Sequence, residues 1–535
     1  MHDARTGNVA DLVRQAASLG PDRPALYSDD RTVRWGELDA QVEAVARGLL
    51  ALDLPADAYP ARVAVALPNV PEFAAAYFGV LRAGLVAVPV NPGYTARELR
   101  HVLADSGAAV LIGSADVVAA VATVRADVPT LRHVYRHGSG EGDAPLLAAL
   151  LSTDGQLPEV RTGGEDLAVL IYTSGTVGDP KGAMLSHRAL LANHAQVAEI
   201  TPPVLSPDDV VLLALPLFHA YGLNSGLGAV AYHGAAGVLV PRFDPADTLA
   251  LVARHEVTAI VGVPPMYIAW SLLPEGGSAL ASVRLAVSGA APLEPAAAAR
   301  FTAATARTIF EGYGLTETAP TVTSTLASLT PKPGSIGRPI PGVEIRLVSG
   351  DGSDAWVSTV DYDELAADED DVDLSSPDSP GSDPGEIVVR GANVFSGYWP
   401  DGRDGPDAEG WWPTGDVAYA DADGDLFLVD RLGELILVSG FNVYPHEIEQ
   451  VLEAHPGVAG AAVLGIPHPY TGQTVKAYVV RGGTPDVTAE DLMRYCEKNL
   501  ARFKCPTAIE FVPDLPRTAT GKVRKAALRA GVADG

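Results

Sequence analysis

Residues 172–182 read YTSGTVGDPKG, from Tyr172 to Gly182. The apolar run just ahead of them, Leu167–Tyr172, predicts a buried strand. Beyond them Ser186 stands where an N-cap would start a helix near His187. The stretch is therefore a loop between strand and helix. Its hydroxyls, Thr173, Ser174 and Thr176, alternate with Gly175, Gly178 and Gly182. Such a loop can turn amides and hydroxyls toward a polyphosphate, and Lys181 adds a positive charge. The spacing is not that of a Walker loop, because Pro180 occupies the place of its second glycine. A Gly-rich turn by itself is often only a solvated connection; the whole string is more specific than that.

The surrounding pattern is α/β. Arg62–Leu67, Val86–Val90 and Ala108–Ile112 read as short apolar strands, with helical patterns at Pro71–Ala83 and Thr95–Asp105 between them. Val257–Val263 and Leu285–Ser288 continue the alternation, which predicts mostly parallel sheets covered on both faces. The uncharged run Val210–Pro241 is long enough to span a bilayer. Its glycines, Pro216, Asn224 and two histidines read instead as strand, turn, small-residue helix and strand, all buried. No internal repeat is visible.

A chain of 535 residues with 47% hydrophobic content holds more than one domain. Two cysteines, Cys496 and Cys505, exclude a disulfide scaffold and suit a reducing cytosol. The N-terminus lacks a basic-then-apolar signal pattern, so a cytoplasmic protein is expected, with at most peripheral membrane contact. The net charge of −28 argues against a nucleic-acid partner. Between Ser349 and Gly385 there are twelve Asp/Glu and no Lys or Arg, which predicts a solvated, mobile insertion over 349–385.

Further motifs follow in order: Leu215–Gly222 (LPLFHAYG), Ser288–Leu293 (SGAAPL), Gly312–Glu317 (GYGLTE), Thr414–Asp416 (TGD), Asp430–Arg431, Ser439–Glu449 (SGFNVYPHEIE) and Pro516–Lys522 (PRTATGK). Together with the 172–182 string they resemble the adenylate-forming enzymes, in particular the acyl-CoA synthetase branch. The resemblance runs from about residue 20 to the C-terminus. It implies a large, multi-subdomain N-terminal α/β domain over 1–430 and a hinge at 431–433. A small mobile α+β C-terminal domain over 434–535 would complete the chain.

The resemblance also implies a chemistry. ATP and a carboxylic acid would give acyl-AMP and pyrophosphate, and coenzyme A would then take the acyl group. The first step joins two anions, so cations must offset their repulsion. Lys522 matches the lysine that bridges carboxylate and α-phosphate. Glu317 matches the Mg2+ ligand, with Thr176 as its companion and Thr316 beside it for phosphate. Thr173, Ser174, Gly175, Thr176 and Lys181 would hold the phosphates. Gly289, Ala290, Ala291, Gly312, Tyr313 and Gly314 would frame the adenine, with Tyr313 against its face. Asp416 and Arg431 would hold the ribose, and Gly440 would border the thiol channel. His219 takes the gate position of the acid pocket, where amino-acid-activating relatives carry an Asp. Leu223, Gly226, Leu227, Gly289 and Gly314 would line an apolar pocket suited to a medium- or long-chain fatty acid.

Two positions depart from the pattern: Val177 replaces a hydroxyl, and Gly433 replaces the usual hinge Lys or Asp. The alternatives are an aryl- or phenylpropanoid-CoA ligase and a fatty acyl-AMP ligase that loads an acyl carrier protein. A non-enzymatic nucleotide-binding protein is disfavoured by the presence of Lys522, Glu317, Asp416 and Arg431 together. Oligomeric state is not predicted.

Overall fold

The computed structural model describes residues 7–29, 31–55, 58–138, 147–152, 155–158, 160–173, 180–349, 352–358, 381–431, 434, 436–438, 441–468, 472–482, 487–518 and 521–530. The fold is α/β. The chain divides into two compact units, Met1–Val343 with Arg390–Trp412, and Glu344–Val389 with Pro413–Gly535.

The first unit holds two sheets. A six-stranded sheet runs in the order His133–His137, Val110–Ser114, Arg62–Ala66, Val86–Pro89, Leu167–Thr173, Lys181–Ser186. Its first four strands pair in parallel, and its last two form an antiparallel hairpin. The strands alternate with helices whose ends are written locally. Thr95 and Glu98 close a capping box at the start of Ala96–Ser106, and Gly107 ends it at φ +63°. That helix buries Leu99, Val102 and Leu103 against Val88, Leu111 and Val117. Each fully buried side chain of this size contributes about 1.5–3 kcal/mol.

The nine-stranded sheet runs Arg338–Pro339, Thr321–Ser324, Ile309–Gly314, Leu285–Ser288, Ala259–Gly262, Val210–Leu213, Ala236–Leu239, Pro24–Ser28, Arg31–Arg34. Trp270, Tyr267 and Phe301 pack their rings edge-on beside it. The second unit holds two five-stranded sheets, one containing Trp412–Ala420 and Leu426–Arg431, the other containing Val458–His468 and Gly472–Arg481. Ile436, Val443, Ile448, Leu452, Val463 and Val475 form the core of the latter.

Ser186 caps the helix His187–Ala198, accepting from the Ala189 amide. The loop before it does not run from strand to helix, however. Lys181–Ser186 is itself a strand, paired antiparallel to Leu167–Thr173 from Thr173↔Lys181 to Leu167↔Ser186. Thr173 and Lys181 therefore face each other at the end of an antiparallel pair, and residues 174–179 lie outside the described residues. Buried Ala183, Met184 and Leu185 hold that second strand in the sheet; the run is too short for its period to show in sequence.

The acidic insertion also needs correcting. Asp354–Val357 is a strand, antiparallel to Val343–Val348, and Ser358 Oγ accepts the Ile345 amide at 2.8 Å. Ser382 donates its amide to Ala420 O, and Gly385–Gly391 is a strand. Pairing with distant strands overrides the acidic composition there. Residues 359–380 lie outside the described residues.

Smaller shifts are local. The strand expected from Ala108 begins at Val110. The helix inside Val210–Pro241 is present but is π-wound over Tyr221–Gly228 before Ala229–His233. Gly222 shows why a side chain fails there: its Cβ would fall 2.3 Å from Pro216 O.

Candidate functional site

The hairpin Leu167–Ser186 is pinned on both sides of its tip by the helix Ala96–Ser106. Tyr172 donates its hydroxyl to Asp105 Oδ2 at 2.6 Å, and His101 Nε2 lies 3.1 Å from Pro180 O. Ser174, Gly175, Thr176 and Val177 lie outside the described residues. Thr173 ends the first strand, half-buried, and Lys181 opens the second. Lys181 Nζ pairs with Asp404 at 3.1 Å and sits 5.1 Å from the centre of the Tyr398 ring. That pair is half-exposed on both sides, so it tethers Lys181 only weakly.

Glu317 lies in the short turn Thr316–Thr318 that follows the strand Ile309–Gly314. Thr318 Oγ1 braces the turn, accepting the Leu315 amide. Gly314 is required where it stands, since a Cβ would lie 1.7 Å from Pro320 O. Thr316 and Glu317 are both buried. The Tyr398 hydroxyl donates to Glu317 Oε1 at 2.6 Å. The Glu317 carboxylate offers the hard oxygen that Mg2+ takes, and Thr176, its expected companion, lies outside the described residues.

The segment 393–399 joins these two parts. The Trp399 amide donates to Gly182 O, the Met184 amide to Gly397 O and the Ser396 amide to Met184 O. At its other end the Phe395 amide donates to Glu317 O, and Asn393 Nδ2 donates to Thr318 O. The strand leaving the hydroxyl-rich loop and the turn bearing Glu317 are therefore held by one strap.

Gly312, Tyr313 and Gly314 occupy the end of a strand, half-buried. Gly289, Ala290 and Ala291 follow the strand Leu285–Ser288, which pairs in parallel with the strand Ile309–Gly314 up to Ser288↔Glu311. Ala290 has φ +65°, a left-handed conformation that costs a non-glycine residue energy. A Cβ on Gly289 would meet the Tyr221 ring at 3.1 Å.

His219 Nδ1 accepts the Tyr221 amide at 3.3 Å. Burial pulls its pKa down to about 4, so the ring is neutral at ordinary pH. Leu223 and Leu227 are buried. Gly226 packs with Leu212, Leu213, Leu215, Gly222 and Val261 around an apolar seam too tight to admit water.

In the second unit Asp416 is buried on the strand Trp412–Ala420, directly opposite Arg431 in antiparallel register. The side chain of Arg431, and all of Gly433 and Gly440, lie outside the described residues. Lys522 sits at the base of a hairpin: the Thr518 amide donates to Lys522 O at 2.8 Å, and the Lys522 amide donates to Thr518 Oγ1.

The AMP-binding enzyme family model matches residues 13–399, and the model for the AMP-binding enzyme C-terminal domain matches residues 447–522. The chain belongs to the AMP-binding enzyme family. This AMP-binding enzyme is 34% identical to a long-chain-fatty-acid–CoA ligase of Escherichia coli O157:H7, over 98% of this chain and 94% of the relative. It is 36% identical to a feruloyl-CoA synthase of Amycolatopsis sp, over 96% of each chain. Its structure matches that of ATP-bound MatB from Rhodopseudomonas palustris with a TM-score of 0.85 and 30% identity, over 98% of this chain and 99% of the other.

The AMP-binding enzyme also places residues at the site that motif reading passed over. Tyr398 has no local signal; only the fold brings it to Glu317, 81 positions away. Tyr221 lies inside the LPLFHAYG motif, but that motif singled out His219. Its hydroxyl is buried and has no hydrogen-bond partner among the described residues. Among the described residues no helix is long and apolar enough to cross a membrane.

Proposed function

We propose that the chain is an acid–thiol ligase that activates a carboxylic acid with ATP and passes the acyl group to coenzyme A. The observation that carries this reading is the strap 393–399, which couples a buried Glu317 to the strand beginning at Lys181. Resemblance to a fatty-acid–CoA ligase over nearly the whole chain supports a fatty acid as substrate. The substrate carboxylate attacks the α-phosphorus, the bond to pyrophosphate breaks, and acyl-AMP forms. The thiol then attacks the acyl carbon and AMP leaves.

Each residue has a task in this scheme. Thr173, Ser174, Gly175, Thr176 and Lys181 bind the phosphates. Glu317 and Thr176 hold Mg2+, which neutralises phosphate charge when bound, and Thr316 contacts phosphate. Gly289, Ala290, Ala291, Gly312, Tyr313 and Gly314 seat the adenine. Asp416 and Arg431, register partners on adjacent strands, take the ribose. Lys522 offsets the charge of the two reacting anions. Neutral His219 closes the acid pocket. The large domain would end at 430, with a pivot at 431–433 and a mobile domain over 434–535; Gly433 leaves the backbone free to turn there. Gly440 would then border the thiol channel. A cytosolic location belongs to the same reading, supported by the unpaired thiols of Cys496 and Cys505.

A second reading, an aryl acid as substrate, is favoured by Tyr221. A buried hydroxyl without a partner is costly, and a polar aryl acid could satisfy it where a fatty chain could not. Pyrophosphate release screened over fatty, aryl and dicarboxylic acids, with and without coenzyme A, tests both readings. Release with no acid would sink the ligase assignment. Acyl-AMP that accumulates with coenzyme A present would point to a carrier-protein acceptor instead.

A further inference from the structure

Lys525 lies three residues beyond Lys522 and opens the helix Lys525–Ala530. Its Nζ stands 2.7 Å from Glu434 Oε2 and 2.8 Å from Glu449 Oε1. All three side chains are mostly buried, at 13–18% exposure. Glu449 Oε1 also accepts the Val463 amide at 2.7 Å, which fixes the carboxylate to the sheet. Other ion pairs of this unit, such as Lys476–Glu510 and Lys504–Glu447, place one partner at 39–52% exposure.

The three charges come from separate parts of the chain. Glu434 is the first described residue after 431–433. Glu449 lies on the helix Pro445–Glu453. Lys525 follows directly on the Lys522 hairpin, whose two sides are tied by the Arg517–Val523 bridge and by the Arg524 amide donating to Pro516 O. Val523 packs beside Leu515 and Leu528, which seats the hairpin's far side on the sheet. A buried ion pair is weak grounds for stability, because desolvation offsets most of the attraction. Its directional constraint remains: one ammonium held between two carboxylates fixes both chain segments at once. Burial alone would pull Lys525 down, but the two carboxylates outweigh it and hold the ammonium charged.

We propose that Lys525 is a positioning residue: by bridging Glu434 and Glu449 it locks the Lys522 hairpin to the segment leaving the pivot, so that Lys522 moves with that segment as one body. Lys525 touches no substrate. Its effect is carried through Lys522, and the proposal rests on the role given to Lys522 in the adenylation step.

The test uses the full chain as wild type, Glu434→Gln, Lys525→Met and Lys525→Arg. The first readout is amide hydrogen exchange over residues 516–524. The second is the two half-reactions in single turnover: pyrophosphate release with dodecanoate or ferulate, and thioester formation from the corresponding supplied acyl-AMP. Glu434→Gln and Lys525→Met are expected to speed exchange over 516–524 about 10-fold or more. They should slow adenylation about 10- to 100-fold and leave thioester formation within about threefold. Lys525→Arg should restore most of both. Glu434→Gln keeps the shape of the side chain and decides the matter if Lys525→Met does not fold. Unchanged exchange in a folded Glu434→Gln overturns the tether, and an equal loss in both half-reactions overturns the positioning role. A wild type that releases no pyrophosphate with either acid would refute the ligase reading on these substrates, and with it the role of Lys525 in adenylation. The exchange result would still decide whether the tether exists.

Discussion

The Tyr398 hydroxyl donates a 2.6 Å hydrogen bond to Glu317 Oε1, while the Tyr398 ring lies beneath the Lys181 ammonium, 5.1 Å from its centre. One side chain thus links the residue proposed to hold Mg2+ with the cation that closes the hydroxyl-rich loop. A hydrogen bond to a charged group is worth about 1.5–3 kcal/mol, enough to keep a carboxylate in one rotamer. Tyr398→Phe keeps the ring under Lys181 and removes only that bond. Half-saturation by Mg2+ should rise about 10-fold or more, with the melting temperature little changed. Mg2+ titrations of pyrophosphate release and of ATP binding would show it. An unaltered Mg2+ dependence would mean that Glu317 needs no help from Tyr398.

Lys522→Ala should separate the two half-reactions. If the ammonium offsets charge only while carboxylate and α-phosphate approach, adenylation should fall by about three orders of magnitude or more. Thioester formation from supplied acyl-AMP should survive. Equal losses in both steps would contradict this division of labour.

The acidic stretch should behave as two parts. Asp354–Val357 is a paired edge strand anchored through Ser358 to Ile345. Replacing 359–380 with a short Gly/Ser linker should leave melting temperature and turnover close to wild type. Deleting Asp354–Val357 as well should lower the melting temperature by several degrees, because Val343–Val348 loses a neighbour. Calorimetry on the two variants separates the cases. A large loss of turnover from the first change alone would give 359–380 a role beyond solvation.

Three buried histidines should make the enzyme sensitive to mild acid. Burial lowers His187 and His219 to about 4 and His194 to about 3. An unfolded histidine titrates near 6.5. In the interval between, the unfolded chain binds more protons than the folded one, so stability rises with pH there. Their contribution is fully present above about pH 6.5 and is lost as pH falls toward 4. Urea unfolding at a series of pH values should show this slope, and His194→Asn should reduce it. A slope unaffected by that substitution would place the acid sensitivity in other groups.

Parts of this were written locally. The Ser186 cap, the helix beginning near Thr95 and the strand Leu167–Thr173 each depend on residues within one turn or one strand, so local pattern revealed them. The site motifs were visible for the same reason: Gly314, Thr316 and Glu317 are adjacent in chain and in space. Contacts between distant segments left no such trace. Nothing around Tyr398 announces that it meets Glu317, nothing in the acidic run marks Asp354–Val357 as a strand, and nothing in the LPLFHAYG motif marks Tyr221–Gly228 as π-wound.

By itself, then, the sequence determined the α/β alternation, the helix caps and the chemical inventory of the site, because these rest on neighbours within a few residues. The tertiary structure alone decided that Leu167–Thr173 pairs antiparallel with Lys181–Ser186, that the 393–399 strap couples the latter strand to the turn bearing Glu317, and that Glu434, Glu449 and Lys525 converge. The physical reason is the same each time. A hydrogen bond or ion pair between residues tens to hundreds of positions apart depends on how sheets pair and pack, and a pattern read along the chain carries no record of that pairing.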